Sequence, residues 1–223
     1  MIASGAPRTK GRAVLFDLDG TLADTAADLC AALNALRGER GLGPLEVPAV
    51  RPFASMGARG MVRVGFGRAP GDADYEALRD AFLRYYGENV MAETRLFPGV
   101  GELLDALRSR GIAWGIVTNK AMRFTEKIVA DLSLSPDCIV GGDSTPHLKP
   151  HPAPLLLAAE RLNLSPGSCD YLGDDLRDIQ AARAAGMRAV AVEWGYTSPD
   201  NGAPAAWNPD VLLARPLELL PHL

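Results

Sequence analysis

The 223-residue chain is 48% hydrophobic and 22% charged, ordinary globular usage with apolar surface enough for one α/β domain or for a core plus a small inserted domain. A net charge of -4 and a pI near 5.4 argue against a nucleic-acid binder, whose affinity rests on clustered Lys and Arg. No segment approaches the ~20 apolar residues of a membrane span, and no apolar stretch follows the basic start at Arg8, Lys10 and Arg12 to serve as a signal sequence.

Cys30, Cys138 and Cys169 are odd in number and lack a CxxC pair, which reads as buried free thiols and not a disulfide or zinc framework. The expectation is a cytoplasmic protein whose partner is a small molecule, with no membrane, no nucleic acid and no evident obligate protein partner.

Residues 13–16 form a short apolar run that ends abruptly in Asp17-Leu18-Asp19-Gly20-Thr21, a buried strand entering a tight turn. Leu29, Leu33 and Leu36 then recur at helical spacing over 26–37, with Asp24 or Thr25 as cap and Gly41 beyond the end. Helical patterns follow at 61–66 and at 74–86, where Tyr75, Leu78, Phe82 and Tyr85 share a face. No strand signal interrupts this stretch, so 24–93 reads as an all-helical insert dividing 1–23 from 94–223.

After Phe97-Pro98-Gly99 the texture alternates. Helices are expected around Leu103 to Leu107, at 124–132, at 152–162 and over Leu176–Ala185; strands are expected at 112–117, Cys138–Val140, 171–172, 189–192 and near Val211. Strands separated by helices imply right-handed crossovers and a parallel sheet covered on both faces. In such sheets, sites lie at the carboxyl ends of strands.

Four strand ends deliver polar residues to that edge: Asp17 and Asp19, Thr118 and Asn119, Lys149, and Asp174 with Asp175. Positions i and i+2 of an extended segment share a side, so both leading aspartates can face one pocket while Gly20 lets the chain turn away. Phosphate monoesters hydrolyse so slowly that a catalyst must supply up to ~10²¹ in acceleration. A carboxylate nucleophile divides that barrier by forming an aspartyl phosphate, and Asp17, first after the strand, is the candidate. Asp19 is the candidate general acid, then base.

Two close carboxylates resist joint ionisation unless a cation lies between them, which makes Mg²⁺ on Asp17, the main-chain carbonyl of Asp19 and Asp174 chemically sensible. Thr118 and the backbone N–H of Asn119 can donate to phosphoryl oxygens, and Lys149, between Leu148 and Pro150, can meet the developing charge. Three carboxylates fall within Gly173-Asp174-Asp175-Leu176-Arg177-Asp178. Helix capping accounts for one of them, Asp178 is read as supporting the metal's ligands, and Asp175 stays open between the two roles.

Two features are set aside. Gly99-Val100-Gly101 lacks the third glycine of a dinucleotide fingerprint, and prolines around His147 and His151 exclude a shared helical face, with no cysteine pair to complete a zinc site.

The stretches DLDGTLADT at 17–25, VTNK at 117–120, KPHP at 149–152 and GDDLRD at 173–178 resemble the four motifs of the haloacid dehalogenase superfamily. The resemblance covers almost the whole chain. It implies a Rossmann-like three-layer core, an inserted helical type 1 cap, Mg²⁺ dependence, a small phosphorylated metabolite as partner, and the stated roles for Asp17, Asp19, Thr118, Lys149 and Asp174. Within the superfamily the chain is similar to the phosphoglycolate phosphatase group. Through Ser55-Met56-Gly57-Ala58-Arg59-Gly60-Met61-Val62, Asp175-Leu176-Arg177-Asp178, Gly195-Tyr196 and Trp207, it is more narrowly similar to phosphatases of N-acetylmuramic acid 6-phosphate in peptidoglycan recycling.

On that resemblance Arg59 is the candidate for a substrate carboxylate, since its fork suits one. A 2-phosphoglycolate phosphatase, a β-phosphoglucomutase-like phosphotransferase and a silent binding protein of the same fold are the alternatives.

Overall fold

The computed structural model describes residues 11–89 and 91–223. The reading of the basic start at Arg8 and Lys10, and the assignment of residues 1–10 to the core, lie outside the described residues.

In chain order the elements are β1 (Ala13–Phe16), β2 (Ala23–Asp24), α1 (Ala26–Glu39), α2 (Val47–Val50), α3 (Gly57–Phe66), α4 (Tyr75–Asn89) and β3 (Arg95–Leu96). The alternating part follows: α5 (Val100–Ser109), β4 (Ala113–Val117), α6 (Met122–Asp131), β5 (Cys138–Val140), α7 (Ala153–Arg161), β6 (Cys169–Gly173), α8 (Leu176–Ala185), β7 (Arg188–Val192) and β8 (Val211–Leu213).

Six strands form one sheet in the order β5-β4-β1-β6-β7-β8, and every pairing is parallel. Strands of such a sheet are buried on both faces and read as unbroken apolar runs. β1 shows the consequence of its period of two. Val14 and Phe16 enter one core with residues of α1, α3, α4, α5 and α6, while Ala13 and Leu15 enter a second with residues of α7 and α8. This is the three-layer α/β arrangement expected from the strand-helix rhythm.

β2 and β3 departed from expectation. They pair antiparallel, Ala23 with Leu96 and Asp24 with Arg95, and so bring the two ends of the helical stretch side by side. Two-residue strands carry no periodicity to read. The cap of α1 differs as well. The Thr25 side chain makes no capping bond, Asp24 reaches the Ala26 N–H only at 3.3 Å, and the Tyr196 hydroxyl accepts from the N–H groups of Thr25 at 2.6 Å and Ala26 at 3.1 Å. The Thr25 hydroxyl is turned to Asp19 instead, to which it donates. The His147 and His151 rings, off any helix as expected, nonetheless stack at 4.2 Å across a turn.

Register sets the site. Phe16 lies opposite both Ile116 and Leu172, so β1, β4 and β6 end level. The ladder runs one residue further through Asp17 N–H to Leu172 O at 2.8 Å and Thr118 N–H to Val140 O at 2.9 Å. Asp17, Thr118 and Asp174 therefore leave the sheet at one edge.

Candidate active site

Asp17 is buried, and its Oδ1 accepts from Leu18 N–H at 2.8 Å and from Lys149 Nζ at 2.9 Å. Asp19 lines the same cavity, its carboxylate bonded to Lys120 Nζ, also on the cavity wall, at 2.9 and 3.0 Å and to the Thr25 hydroxyl. Gly20 turns the chain at φ +86°, and a Cβ there would fall 2.1 Å from Asp174 Oδ2. Glycine thus serves both the turn and the close approach of Asp174.

Lys149 is almost wholly enclosed. Its ammonium reaches Asp17, Asp178 Oδ1 at 2.7 Å, the Tyr171 hydroxyl at 2.7 Å and Val117 O at 3.2 Å. Burial alone would pull its pKa down, but the carboxylates of Asp17 and Asp178 outweigh that and the net direction is up. It stays a cation. Its backbone, at a cis Lys149-Pro150 peptide, is gripped by the Asn119 side chain, which accepts from Lys149 N–H at 2.9 Å and donates to Lys149 O at 3.0 Å. Asn119 was expected to act through its backbone N–H; its side chain ties the end of β4 to Lys149, which lies not at a strand end as expected but in the loop between β5 and α7. Thr118 is buried on the cavity wall, accepting from Lys120 N–H at 3.2 Å.

One oxygen from each of Asp17, Asp174 and Asp178 lies within 4.8 Å of the others, and all three residues are buried. Asp174 accepts from the Thr21 hydroxyl at 3.0 Å, the Ser55 hydroxyl at 2.9 Å and Tyr196 N–H at 2.9 Å. Even so its pKa is pushed up from 3.8 to about 8, first by burial and then by the charges of Asp17 and Asp178. Asp178 is pushed the same way by burial, with Lys149 opposing. Lys149 meets two of these three carboxylates while the partners of Asp174 are neutral, a deficit of positive charge in a pocket of hard oxygen donors. A divalent cation of the Mg²⁺ type fits it.

Asp178 thus stands within the acidic group and not merely behind it. Asp175, left open from the sequence, is the N-cap of α8: it accepts from Arg177 N–H at 2.9 Å, forms a capping box with Asp178 and pairs with the Arg177 guanidinium at 2.8 Å.

Above this edge lies a cavity of about 570 Å³. Asp17, Asp19, Thr118 and Lys149 form part of its wall; Tyr75, Phe82 and Tyr86 of α4 and Phe124 of α6 form an aromatic part. Arg59 also lines it, exposed on α3.

Sequence reasoning assigned no role to Lys120, Thr21 or Tyr171. Ser55 and Tyr196 entered only as marks of resemblance. Lys120 was findable, following Thr118-Asn119 in the same loop; the contacts of Ser55 and Tyr196 with Asp174 carry no local signal.

The model of the haloacid dehalogenase-like hydrolase family matches residues 14–192. A phosphoglycolate phosphatase of Xanthomonas campestris pv. campestris is 45% identical over 93% of this chain and 94% of its own. An N-acetylmuramic acid 6-phosphate phosphatase of Pseudomonas putida is 43% identical over the same shares, 93% and 94%. Among solved structures, a predicted phosphoglycolate phosphatase from Haemophilus somnus superposes with a TM-score of 0.83 at 28% identity, covering 96% of this chain and 98% of that one.

Proposed function

The chain belongs to the haloacid dehalogenase-like hydrolase family and is one of its phosphatases, and we propose that it hydrolyses N-acetylmuramic acid 6-phosphate through an aspartyl phosphate on Asp17. The cavity carries the substrate reading. About 570 Å³ walled by four aromatic rings suits a sugar ring with its substituents. A two-carbon acid would leave most of that space to water. The exposed guanidinium of Arg59 is placed at the cavity for the lactyl carboxylate of such a substrate. 2-Phosphoglycolate is the second reading, favoured by the 45% identical relative.

In the proposed first step an Asp17 oxygen bonds to phosphorus while the ester P–O bond breaks, and the leaving oxygen takes a proton from Asp19. In the second, Asp19 takes a proton from water as water bonds to phosphorus, freeing phosphate and Asp17. Thr118 Oγ and the Asn119 N–H meet the phosphoryl oxygens, and Lys149 holds Asp17 in line. Asp17, Asp174 and the main-chain carbonyl of Asp19 would hold Mg²⁺, with Asp178 beside them. When bound, the ion supplies the positive charge that lets an anionic carboxylate approach an anionic ester.

The helices of 24–93 act in this proposal as a cap on a core of 1–23 and 94–223, gating access to the cavity. The free, buried thiols of Cys30, Cys138 and Cys169 support a cytoplasmic setting, and no helix among the described residues is long and apolar enough to cross a membrane.

The test is phosphate release with Mg²⁺ from N-acetylmuramic acid 6-phosphate, 2-phosphoglycolate and common hexose phosphates. The highest kcat/KM is expected for the first, with Asp17→Asn abolishing turnover on all. Preference for 2-phosphoglycolate would reverse the substrate assignment. Transfer to a second sugar hydroxyl in place of water would make it a mutase, and turnover surviving in Asp17→Asn would remove the nucleophile.

A further inference from the structure

Lys120 follows the strand end that supplies Thr118 and Asn119. Its ammonium is bonded to both carboxylate oxygens of Asp19, at 2.9 and 3.0 Å, and lies 4.7 Å from the centre of the Tyr86 ring. The Lys120 side chain is 8% exposed and that of Asp19 13%. A buried ion pair is poor value as a stabiliser, because desolvating the two charges offsets most of their attraction. The same place filled by an apolar chain would pack against Tyr86 without that cost.

We propose that Lys120 is a positioning residue for proton transfer at Asp19: it fixes the carboxyl toward the leaving oxygen and meets the carboxylate that proton donation leaves behind. The proposal rests on the phosphatase reading above. When Asp19 carries its proton, Lys120 donates to the unprotonated oxygen, so the O–H is left for the departing alkoxide. As the ester P–O bond breaks, that proton passes to the leaving oxygen and the new carboxylate receives a second donor from the same ammonium. No further reactant is needed. Thr25, donating to Asp19 Oδ1, holds the same group from β2's side of the loop. Tyr86 completes the enclosure from α4, its ring facing the cation. Proton delivery is thereby tied to the docking of a helix that belongs to the proposed cap.

The leaving group distinguishes this role from mere structural support. An alkyl ester such as a sugar phosphate departs as a poor leaving group and needs the proton, whereas p-nitrophenyl phosphate releases a stabilised phenolate and needs it little. Because kcat/KM reports only through the first irreversible step, it isolates transfer to Asp17 from the later hydrolysis.

Lys120→Met is expected to lower kcat/KM for the sugar phosphate by about 10²-fold or more, the lower end for general acid catalysis, and for the aryl ester by under about 10-fold. Lys120→Arg, which keeps the charge, should recover part of the loss on the sugar ester alone. Thermal unfolding monitors the fold; should the Met variant not fold, Lys120→Gln carries the same comparison. Equal losses on both esters, or none, overturn the assignment. A wild-type protein that releases phosphate from neither ester overturns the phosphatase reading itself.

Discussion

Tyr171 shows how a residue with no direct part in the proposed chemistry sets a residue that has one. It is wholly buried, its hydroxyl donates to Val117 O at 2.7 Å and accepts from Lys149 Nζ at 2.7 Å. Burial, with the charges of Asp178 and Asp17, holds its phenol well above the ordinary range, so it remains a neutral donor. Tyr171→Phe is expected to cost about 1–3 kcal/mol, the range for unpairing buried polar groups, and to lower kcat more than it raises KM. Urea denaturation and steady-state kinetics measure the two effects; an unchanged kcat would show that Lys149 holds its pose without the hydroxyl.

Asp17, Thr118, Lys149 and Asp174 were legible because each follows a strand or is fixed beside prolines, so a local pattern marks it. Ser55 meets a partner 119 residues away, and nothing near it encodes that meeting.

At the scale of elements, the apolar runs announced β1, β4, β5 and β7, whereas β6 proved longer than the two residues expected. Asp170, a charged residue, lies inside it. The strand continues because Arg12 at 3.0 Å and Arg188 at 2.6 Å compensate that buried carboxylate. Compensation from elsewhere in the chain also governs α1, whose first N–H groups are met by Tyr196 instead of a neighbour. Removing the hydroxyl in Tyr196→Phe leaves those donors without it and is expected to destabilise the protein by about 1–2 kcal/mol, the worth of a helix cap. The midpoint of urea unfolding checks this, and a midpoint equal to wild type would mean that Asp24 takes over the cap.

For the molecule as a whole, the acidic group links stability to pH and to the metal. Asp174 titrates near 3.8 when unfolded and about 8 when folded without a cation. Between those values the folded chain holds more protons than the unfolded one, so metal-free stability falls as pH rises from about 4 to about 8. Asp178, shifted upward by burial, adds to the same trend. Mg²⁺ held in this group would supply the missing charge to the folded form, so the gain in Tm on adding it is expected to grow as pH rises across that window. Thermal scans with Mg²⁺ or EDTA at several pH values test it. A gain independent of pH would detach the ion from Asp174.

Tyr196 bonds Asp174 through its N–H and, 170 residues from Ala26, closes the start of α1. A ribosome adding roughly 5–20 residues each second therefore exposes the leading aspartate many seconds before its distal partners emerge. Under the proposed mechanism, fragments that stop before Tyr196 carry Asp17 without the contacts that set Asp174, and hydrolysis is expected only from chains that reach past Tyr196.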